Sequence, residues 1–356
     1  MIPEPTWPSL IAALLEGRDL SIAEASWAMD EAISGRVGEG ALAGFLVALR
    51  AKGETVDELV GFRDAVLRNA LELPIDPMAL DIVGTGGDGV GTVNVSTTAA
   101  IIAAAAGIPV IKHGNRAASS QAGSSDTLRA LGLDLELAPE LVPEVFKRAG
   151  ITFVFASLFH PGFRHAGPVR SQLGVPTVFN ILGPLCNPAR AEANAIGVAR
   201  LDRVPLVVGV FRTRGATAFV FRGDDGLDEL TTTGHSHVWE VSNGSVTEHD
   251  LDPRELGIPL ATLEQIRGGS PEHNAEVLRA VLAGERGPVR DIVLLNAAAG
   301  IAAYKLAQDP HEIDRLFLTR MREAMSIAAE AVDSGAAARK LDEWIVAVGA
   351  VKAAAA

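Results

Sequence analysis

Two glycine- and hydroxyl-rich stretches between Asp81 and Ser120 carry the residue types of a phosphate site. The first, Gly84-Thr85-Gly86-Gly87-Asp88, follows the apolar residues 79–83. The second, Lys112-His113-Gly114-Asn115-Arg116, follows the apolar residues 108–111. Exposed backbone N–H groups in such loops, and the N-termini of helices behind them, attract anions. Glycine lets the backbone approach a ligand closely. Asn94, Val95, Ser96 and Thr97 stand where a helix over 96–106 begins, so several donors gather at a positive helix end. Asn94 or Ser96 is expected to cap that helix. Lys112 and Arg116, followed by Ser119, Ser120 and Ser124, form a local cationic loop in an acidic chain. The spacing matches neither the dinucleotide-binding fingerprint nor the Walker A loop. Two such loops so close together imply a ligand with phosphates at both ends.

The elements that must position these loops follow from periodicity. Residues 1 to about 70 read as helices, with capping boxes at Ser21–Glu24 and Thr55–Glu58. Pro74 and Pro77 mark a connector. Strand and helix then alternate: strand 79–83, helix 96–106, strand 108–111, helix 124–131, helix 139–149, strand 151–155, helix 203–214, strand 216–221. This is the pattern of an α/β fold with a mainly parallel sheet covered by helices. Asn243-Gly244 between alternating segments predicts a type I′ hairpin within 237–250. From Pro271 the chain reads as helical again. Residues 159–188 hold five prolines and four glycines around a helix-like 168–173, too punctuated for a bare connector.

Composition bounds the function. The chain has 356 residues, 48% of them hydrophobic, enough for one large domain and a smaller one. A net charge of −13 works against binding nucleic acid or anionic membranes. The single cysteine, Cys186, forms no internal disulfide and fits a reducing compartment. No basic-then-apolar leader and no uncharged apolar run of about 20 residues stands out, so a cytoplasmic protein is expected. His235 and His237 lack a third ligand motif; a strand, not a zinc site, is expected there. Asp224 and Asp225 read as an ordinary acidic turn.

Taken in order, several motifs resemble the anthranilate phosphoribosyltransferase family over nearly the whole chain. They are GTGGD, NVST, KHGNRAASS, His160-Pro161, Pro168-Val169-Arg170, the run 177–185, Gly226-Leu227-Asp228-Glu229, the run 287–291 and the run 294–298. The resemblance implies a small helical N-terminal domain, residues 1–72, and a large α/β domain, residues 73–356, of the nucleoside phosphorylase/phosphoribosyltransferase-like kind. Part of 160–188 would return to the helical domain, through which a homodimer would form. The implied reaction joins anthranilate to 5-phosphoribosyl 1-pyrophosphate (PRPP), giving N-(5-phosphoribosyl)anthranilate and pyrophosphate in L-tryptophan biosynthesis.

The same resemblance implies site residues. Ser96, Asp228 and Glu229 would hold Mg²⁺, an ion that favours oxygen ligands. Gly84, Gly87, Asp88, Thr92, Asn94, Val95, Ser96 and Thr97 would face the pyrophosphate of the donor. Lys112, His113, Gly114, Asn115, Arg116, Ala117, Ala118, Ser119, Ser120 and Ser124 would wrap its phosphoribosyl part. Gly84, Asn115 and Arg170 would hold anthranilate, a guanidinium being suited to its carboxylate. No acid or base is assigned, His113 included, because an aromatic amine is already neutral at pH 7; positioning and electrostatics would carry the rate. Ser157, Gly162, Ser171 and Cys186 depart from the residues common in the family and bear on the acceptor entrance. A pyrimidine nucleoside phosphorylase would carry different loops. A nucleic-acid-binding relative would carry a basic surface and lack parts of the metal or acceptor motifs.

Overall fold

The computed structural model describes residues 4–115 and 122–355. The chain opens with helices α1 (Trp7–Leu15), α2 (Ile22–Ile33), α3 (Glu39–Lys52) and α4 (Val56–Arg68). Ser21 and Thr55 cap α2 and α4 through the expected boxes with Glu24 and Glu58. Gly61 carries no side chain where α4 crosses α2; a Cβ there would strike the Ile22 carbonyl.

An α/β layer follows: β1 (Leu80–Gly84), α5 (Val95–Ala105), β2 (Val110–Gly114), α6 (Ser124–Ala130), α7 (Val142–Ala149) and β3 (Ile151–Phe155). Next come the short α8 (Ala156–Phe159), α9 (Phe163–Leu173), α10 (Phe179–Leu182), β4 (Ala193–Gly197), α11 (Val204–Arg214) and β5 (Thr217–Gly223). The hairpin β6 (Ser236–Ser242) and β7 (Ser245–Leu251) precedes α12 (Pro271–Leu282), α13 (Pro288–Gln308), α14 (Phe317–Asp333) and α15 (Ala336–Ala355). Among the described residues the strands form one seven-stranded sheet, ordered β3-β2-β1-β4-β5-β6-β7. The strands from β3 to β5 in that order are parallel, and β6 and β7 are antiparallel. Asn243 (φ 50) and Gly244 (φ 75) both take positive φ, as a type I′ turn requires.

The parallel strands are apolar on both faces because both are covered. One core joins a sheet face to α5, α12, α13, α14 and α15. The second joins the opposite face to α1–α4, α9, α10 and α11. Ala166 and Val169 of α9 are buried in that second core, where α9 packs on α2 and α3. A buried ion pair between Glu54, just after α3, and Arg203, just before α11, ties the helical layer to the sheet.

Two element boundaries differ from the sequence reading in ways that matter. β2 continues to Gly114 because Lys112 and His113 stay in register with Phe153 and Val154 of β3. Lys112, His113 and Gly114 therefore belong to a strand, not a loop. Helix α9 begins at Phe163 rather than at Pro168, which lies inside it. Burial of Ala166 against the helical layer outweighs the hydrogen bond that Pro168 cannot donate.

Candidate functional site

The strand order reverses at β1, leaving a crevice between the carboxyl ends of β1 and β4, where open α/β sheets bind their ligands. The β1–β4 ladder ends with Gly84 opposite Gly197. A Cβ on either would collide with Asp228. The two bare Cα atoms let the turn 226–229 fold over the strand ends. Asp228 Oδ2 accepts the Gly86 N–H at 2.6 Å. Burial, and then the charge of Asp88 beside it, raise the Asp228 carboxyl to about 7. Burial and the charge of Asp228 push Glu229 well above the usual carboxylate range, while the Ser96 N–H pulls the other way.

Lys112 is buried on the same side. Its Nζ donates to the Ile82 carbonyl at 2.5 Å and to Ser96 Oγ at 3.3 Å. Burial lowers its proton affinity; Asp81, Glu229 and Asp228 oppose that. Lys112 thus supports the floor of the first loop and is not an exposed cation on the second. Asp88, Asp228 and Glu229 outnumber it, so the corner resists carrying negative charge until a further cation is bound. Among the described residues no three His, Cys, Asp or Glu side chains converge as a complete metal cage. Two or three carboxylates in a polar crevice fit Mg²⁺, which completes its shell from phosphate and water.

The N-terminus of α5 opens on the same crevice. Asn94 occupies the cap position, yet neither it nor Ser96 caps: no side chain bonds there. Asn94 instead accepts from Thr127 Oγ1 at 2.6 Å and Asn274 Nδ2 at 2.9 Å, and donates to the Ala122 carbonyl at 3.2 Å. Val95 turns into the core and spends its N–H on Val93 at 2.7 Å. The buried Thr97 hydroxyl has no hydrogen-bond partner among the described residues. Thr92 bridges to Arg267, and Gly268 N–H reaches the Gly91 carbonyl at 2.9 Å, so the segment before α12 braces the first loop. Gly87 is exposed, with φ 85.

His113 points to the other face of β2, as strand alternation requires. Its Nδ1 lies 3.1 Å from the Gly183 carbonyl, and its ring centroid is 5.3 Å from that of His160. Burial, then His160, lower His113 to about 3; burial lowers His160 to about 4. Both imidazoles are neutral at pH 7. Phe163 stacks on His160 and meets the edge of Phe179. The Arg170 guanidinium lies 5.0 Å above the Phe179 ring. Burial lowers its proton affinity, and among the described residues no carboxylate pairs with it. A guanidinium over an aromatic floor, without a counter-charge, suits an aromatic carboxylate.

Asn115 is exposed just beyond β2. Gly114 is bare because the Phe153 ring occupies the space of a Cβ, and Ser124 begins α6 beside it. Arg116, Ala117, Ala118, Ser119 and Ser120 lie outside the described residues. Sequence reasoning gives no separate role to Asp81, which ties β1 to β2 beneath the crevice. Asp81 accepts from the His113 N–H at 3.1 Å and from Asn187 Nδ2 at 2.9 Å, and burial raises it to about 6. Its signal was a charge inside an apolar strand. The aromatic wall of His160, Phe163 and Phe179 was likewise unassigned.

Among the departures, Gly162 is explained: a Cβ would lie 2.7 Å from the Ile33 carbonyl of α2. Cys186 is a buried free thiol whose pKa burial pushes up. Ser157 and Ser171 are exposed. Asp225 serves its own turn, accepting the Thr231 and Thr233 hydroxyls. His235 faces Asp250 at 3.0 Å, and His237 faces Asp224 at 3.6 Å on β6.

Comparison with known proteins agrees with this geometry. The helical bundle domain of the glycosyl transferase family matches residues 8–70, and the a/b domain of the same family matches residues 76–338. The anthranilate phosphoribosyltransferase of Leifsonia xyli is 68% identical, over 96% of this chain and 98% of that one. The one from Clavibacter michiganensis is 64% identical, over 97% and 99%. The crystal structure of the Thermus thermophilus enzyme is 42% identical, with a TM-score of 0.86 over 95% of this chain and 99% of that one. The Saccharomyces cerevisiae enzyme in complex with PRPP and Mg is 30% identical, with a TM-score of 0.86 over 98% and 99%. A likeness that runs through both layers of the fold and nearly the full length of each chain means that this one belongs to the anthranilate phosphoribosyltransferase family.

Proposed function

We propose that the crevice between β1 and β4 binds PRPP and that Arg170 presents anthranilate to it. The chain transfers the phosphoribosyl group to the anthranilate amine, giving N-(5-phosphoribosyl)anthranilate and pyrophosphate in L-tryptophan biosynthesis. The observation that carries the residue assignment is a pair of sites short of counter-charge: Asp228 and Glu229, buried at the strand ends with proton affinities raised, on one side of β2, and the Arg170 guanidinium over Phe179, without a carboxylate among the described residues, on the other.

Asp228, Glu229 and Ser96 would hold Mg²⁺, with Asp88 beside them. When bound, Mg²⁺ neutralises charge on the departing pyrophosphate. Gly84, Gly87 and Thr92 let the first loop close on the donor, while Asn94, Ser96 and Thr97 present donors at the uncapped end of α5. Val95 shapes that helix end without offering its own N–H. Lys112 adds a buried positive charge beneath the pyrophosphate rather than at the ribosyl phosphate. Gly114, Asn115, Ser124 and the stretch 116–120 cover the phosphoribosyl part. His113, neutral and buried, lines the boundary between the substrates. Arg170 takes the anthranilate carboxylate, with Asn115 and Gly84 at the amine side. The aromatic amine needs no strong base, so alignment and charge stabilisation carry the rate.

The domain division at 72/73, with part of 160–188 in the helical unit, goes with the shared core of α2, α3 and α9. Leu15 and Val47 are exposed on α1 and α3, which supports a homodimer through those helices. The net charge of −13 supports small-molecule substrates over nucleic acid. Among the described residues no helix is long and apolar enough to cross a membrane, in keeping with a cytoplasmic enzyme. The test is direct: mix the protein with anthranilate, PRPP and Mg²⁺ and follow anthranilate fluorescence. Loss of signal that needs all three supports the reading; a constant signal from folded protein refutes it.

A further inference from the structure

Asn94 has unusually little freedom. An amide side chain offers two acceptor lone pairs and two N–H donors. Thr127 Oγ1 and Asn274 Nδ2 both donate to Asn94 Oδ1, and the Ala122 carbonyl takes one N–H. Among the described residues a single N–H remains to offer, and an anion is what an N–H suits. The orientation of that amide is set jointly by the Ala122 carbonyl and by a group from outside the donor loops. Asn274, on the first turn of α12, is itself held because its Oδ1 accepts the Gly269 N–H at 2.8 Å. Its Nδ2 must therefore face Asn94, and Asn94 must answer with its oxygen. Asn274 is buried, so water does not compete.

We infer that Asn274 is a positioning residue for the donor site: it fixes the amide of Asn94 so that an N–H, not a carbonyl, faces the pyrophosphate. The inference rests on the assignment of this crevice to PRPP. Asn274 also fastens α12 to the mouth of α5, 180 residues away in sequence. The same segment holds the glycine loop through Val93 N–H to the Ile266 carbonyl and Gly268 N–H to the Gly91 carbonyl.

The orientation argument separates two substitutions. Asn274→Ala removes one partner of Asn94 but leaves Thr127 and Ala122 to hold it. Asn274→Asp keeps the acceptor for Gly269 N–H yet sets a carboxylate oxygen against Asn94 Oδ1. Asn94 must then shift away or turn over against the Ala122 carbonyl, and in either case its N–H is lost to the phosphate. The closer isostere is expected to do more harm, the reverse of what a packing role gives.

The experiment titrates Mg–PRPP into each purified variant by calorimetry, without acceptor, and measures both Michaelis constants and the melting temperature. Asn274→Ala should weaken donor binding about fivefold and Asn274→Asp about thirtyfold, as loss or reversal of a bond to an anion implies, with the KM for anthranilate within about twofold. In an Asn94→Ala background, both substitutions should change donor binding by less than about twofold, because the amide they orient is gone. Asn274→Asp no worse than Asn274→Ala, or effects that persist at full size without the Asn94 amide, would overturn the inference. Wild-type protein that fails to bind Mg–PRPP would instead overturn the assignment of the crevice.

Discussion

Gly197 lies in register with Gly84 on the neighbouring strand, and the two bare Cα atoms make the seat that Asp228 fills. A methyl group at Gly197 must push the Asp228 backbone off the strand ends. Gly197→Ala is expected to leave the protein folded but to raise the Mg²⁺ concentration needed for half-maximal activity about 10–100-fold, the usual effect of disturbing what orients a metal ligand. A Mg²⁺ titration of turnover checks this; an unchanged midpoint would remove Gly197 from any role in seating Asp228.

The acidic corner carries a cost in the metal-free protein. Asp228 and Glu229 are buried side by side with Lys112 as the neighbouring cation. Glu229→Gln keeps the shape and removes a carboxyl whose ionised form burial and Asp228 disfavour. The metal-free protein should melt roughly 2–5 °C higher at neutral pH, because folding no longer works against the ionisation of that group. Mg²⁺-dependent turnover should fall at the same time. Calorimetry in chelator, paired with the activity assay, reads both; a lower melting temperature would mean that Glu229 is structurally paired.

Among the described residues Arg170 has no carboxylate partner, which leaves it for the proposed acceptor. Arg170→Ala should raise the KM for anthranilate about 10–100-fold, the loss of a charge-assisted bond, and leave the KM for PRPP within about twofold. Arg170→Lys should recover only part, since an ammonium cannot bond a carboxylate through two parallel N–H groups. Equal effects on both substrates would argue against this role.

The histidine pair gives a pH signature. His113 and His160 are held neutral, at about 3 and about 4, against a usual 6.5. Below pH 6.5 the unfolded chain takes up these protons and the folded chain does not. The stability they contribute is complete above 6.5 and is lost as pH falls toward about 4. Asp81, raised to about 6, works the opposite way over pH 6 to 3.8 and partly offsets them. His160→Gln should therefore flatten the acid limb of melting temperature against pH between 6.5 and 4. Parallel limbs in the two proteins would contradict the neutral burial of His160.

Gly162 marks where α9 begins against the helical layer. Gly162→Ala places a methyl against Ile33 and is expected to cost about 1–3 kcal/mol, as overpacking does. The KM for anthranilate should rise with it, because α9 carries Arg170. A denaturant melt and the acceptor KM test this, and a neutral result on both would show that α2 yields freely at Ile33.

The sequence made the two loops and the acidic pair visible because each announces itself locally, as a run of glycines or adjacent carboxylates. It hid what depends on strand neighbours. Asp228 reaches Gly86 across 142 residues, and nothing near either shows that β1 lies beside β4. Lys112 reads as a loop cation because the apolar run ends at Ile111, whereas pairing with β3 carries the strand to Gly114. Asn94 read as a possible helix cap by residue type; its partners Thr127 and Asn274 come from two other helices. Pro168 read as a helix start because proline favours first turns, and burial of Ala166 overrode that preference.

The Glu54–Arg203 ion pair acquires a further meaning once the two substrates are placed. Arg170 rides on a helix rooted among α2 and α3, while the groups proposed for the pyrophosphate stand on the sheet. The distance across which the new C–N bond forms is therefore the gap between two separately supported platforms, and Glu54–Arg203 is one of the rivets holding them at a fixed separation. Loosening that rivet is expected to slow the reaction while leaving each substrate contact intact, by letting two well-occupied platforms drift out of alignment.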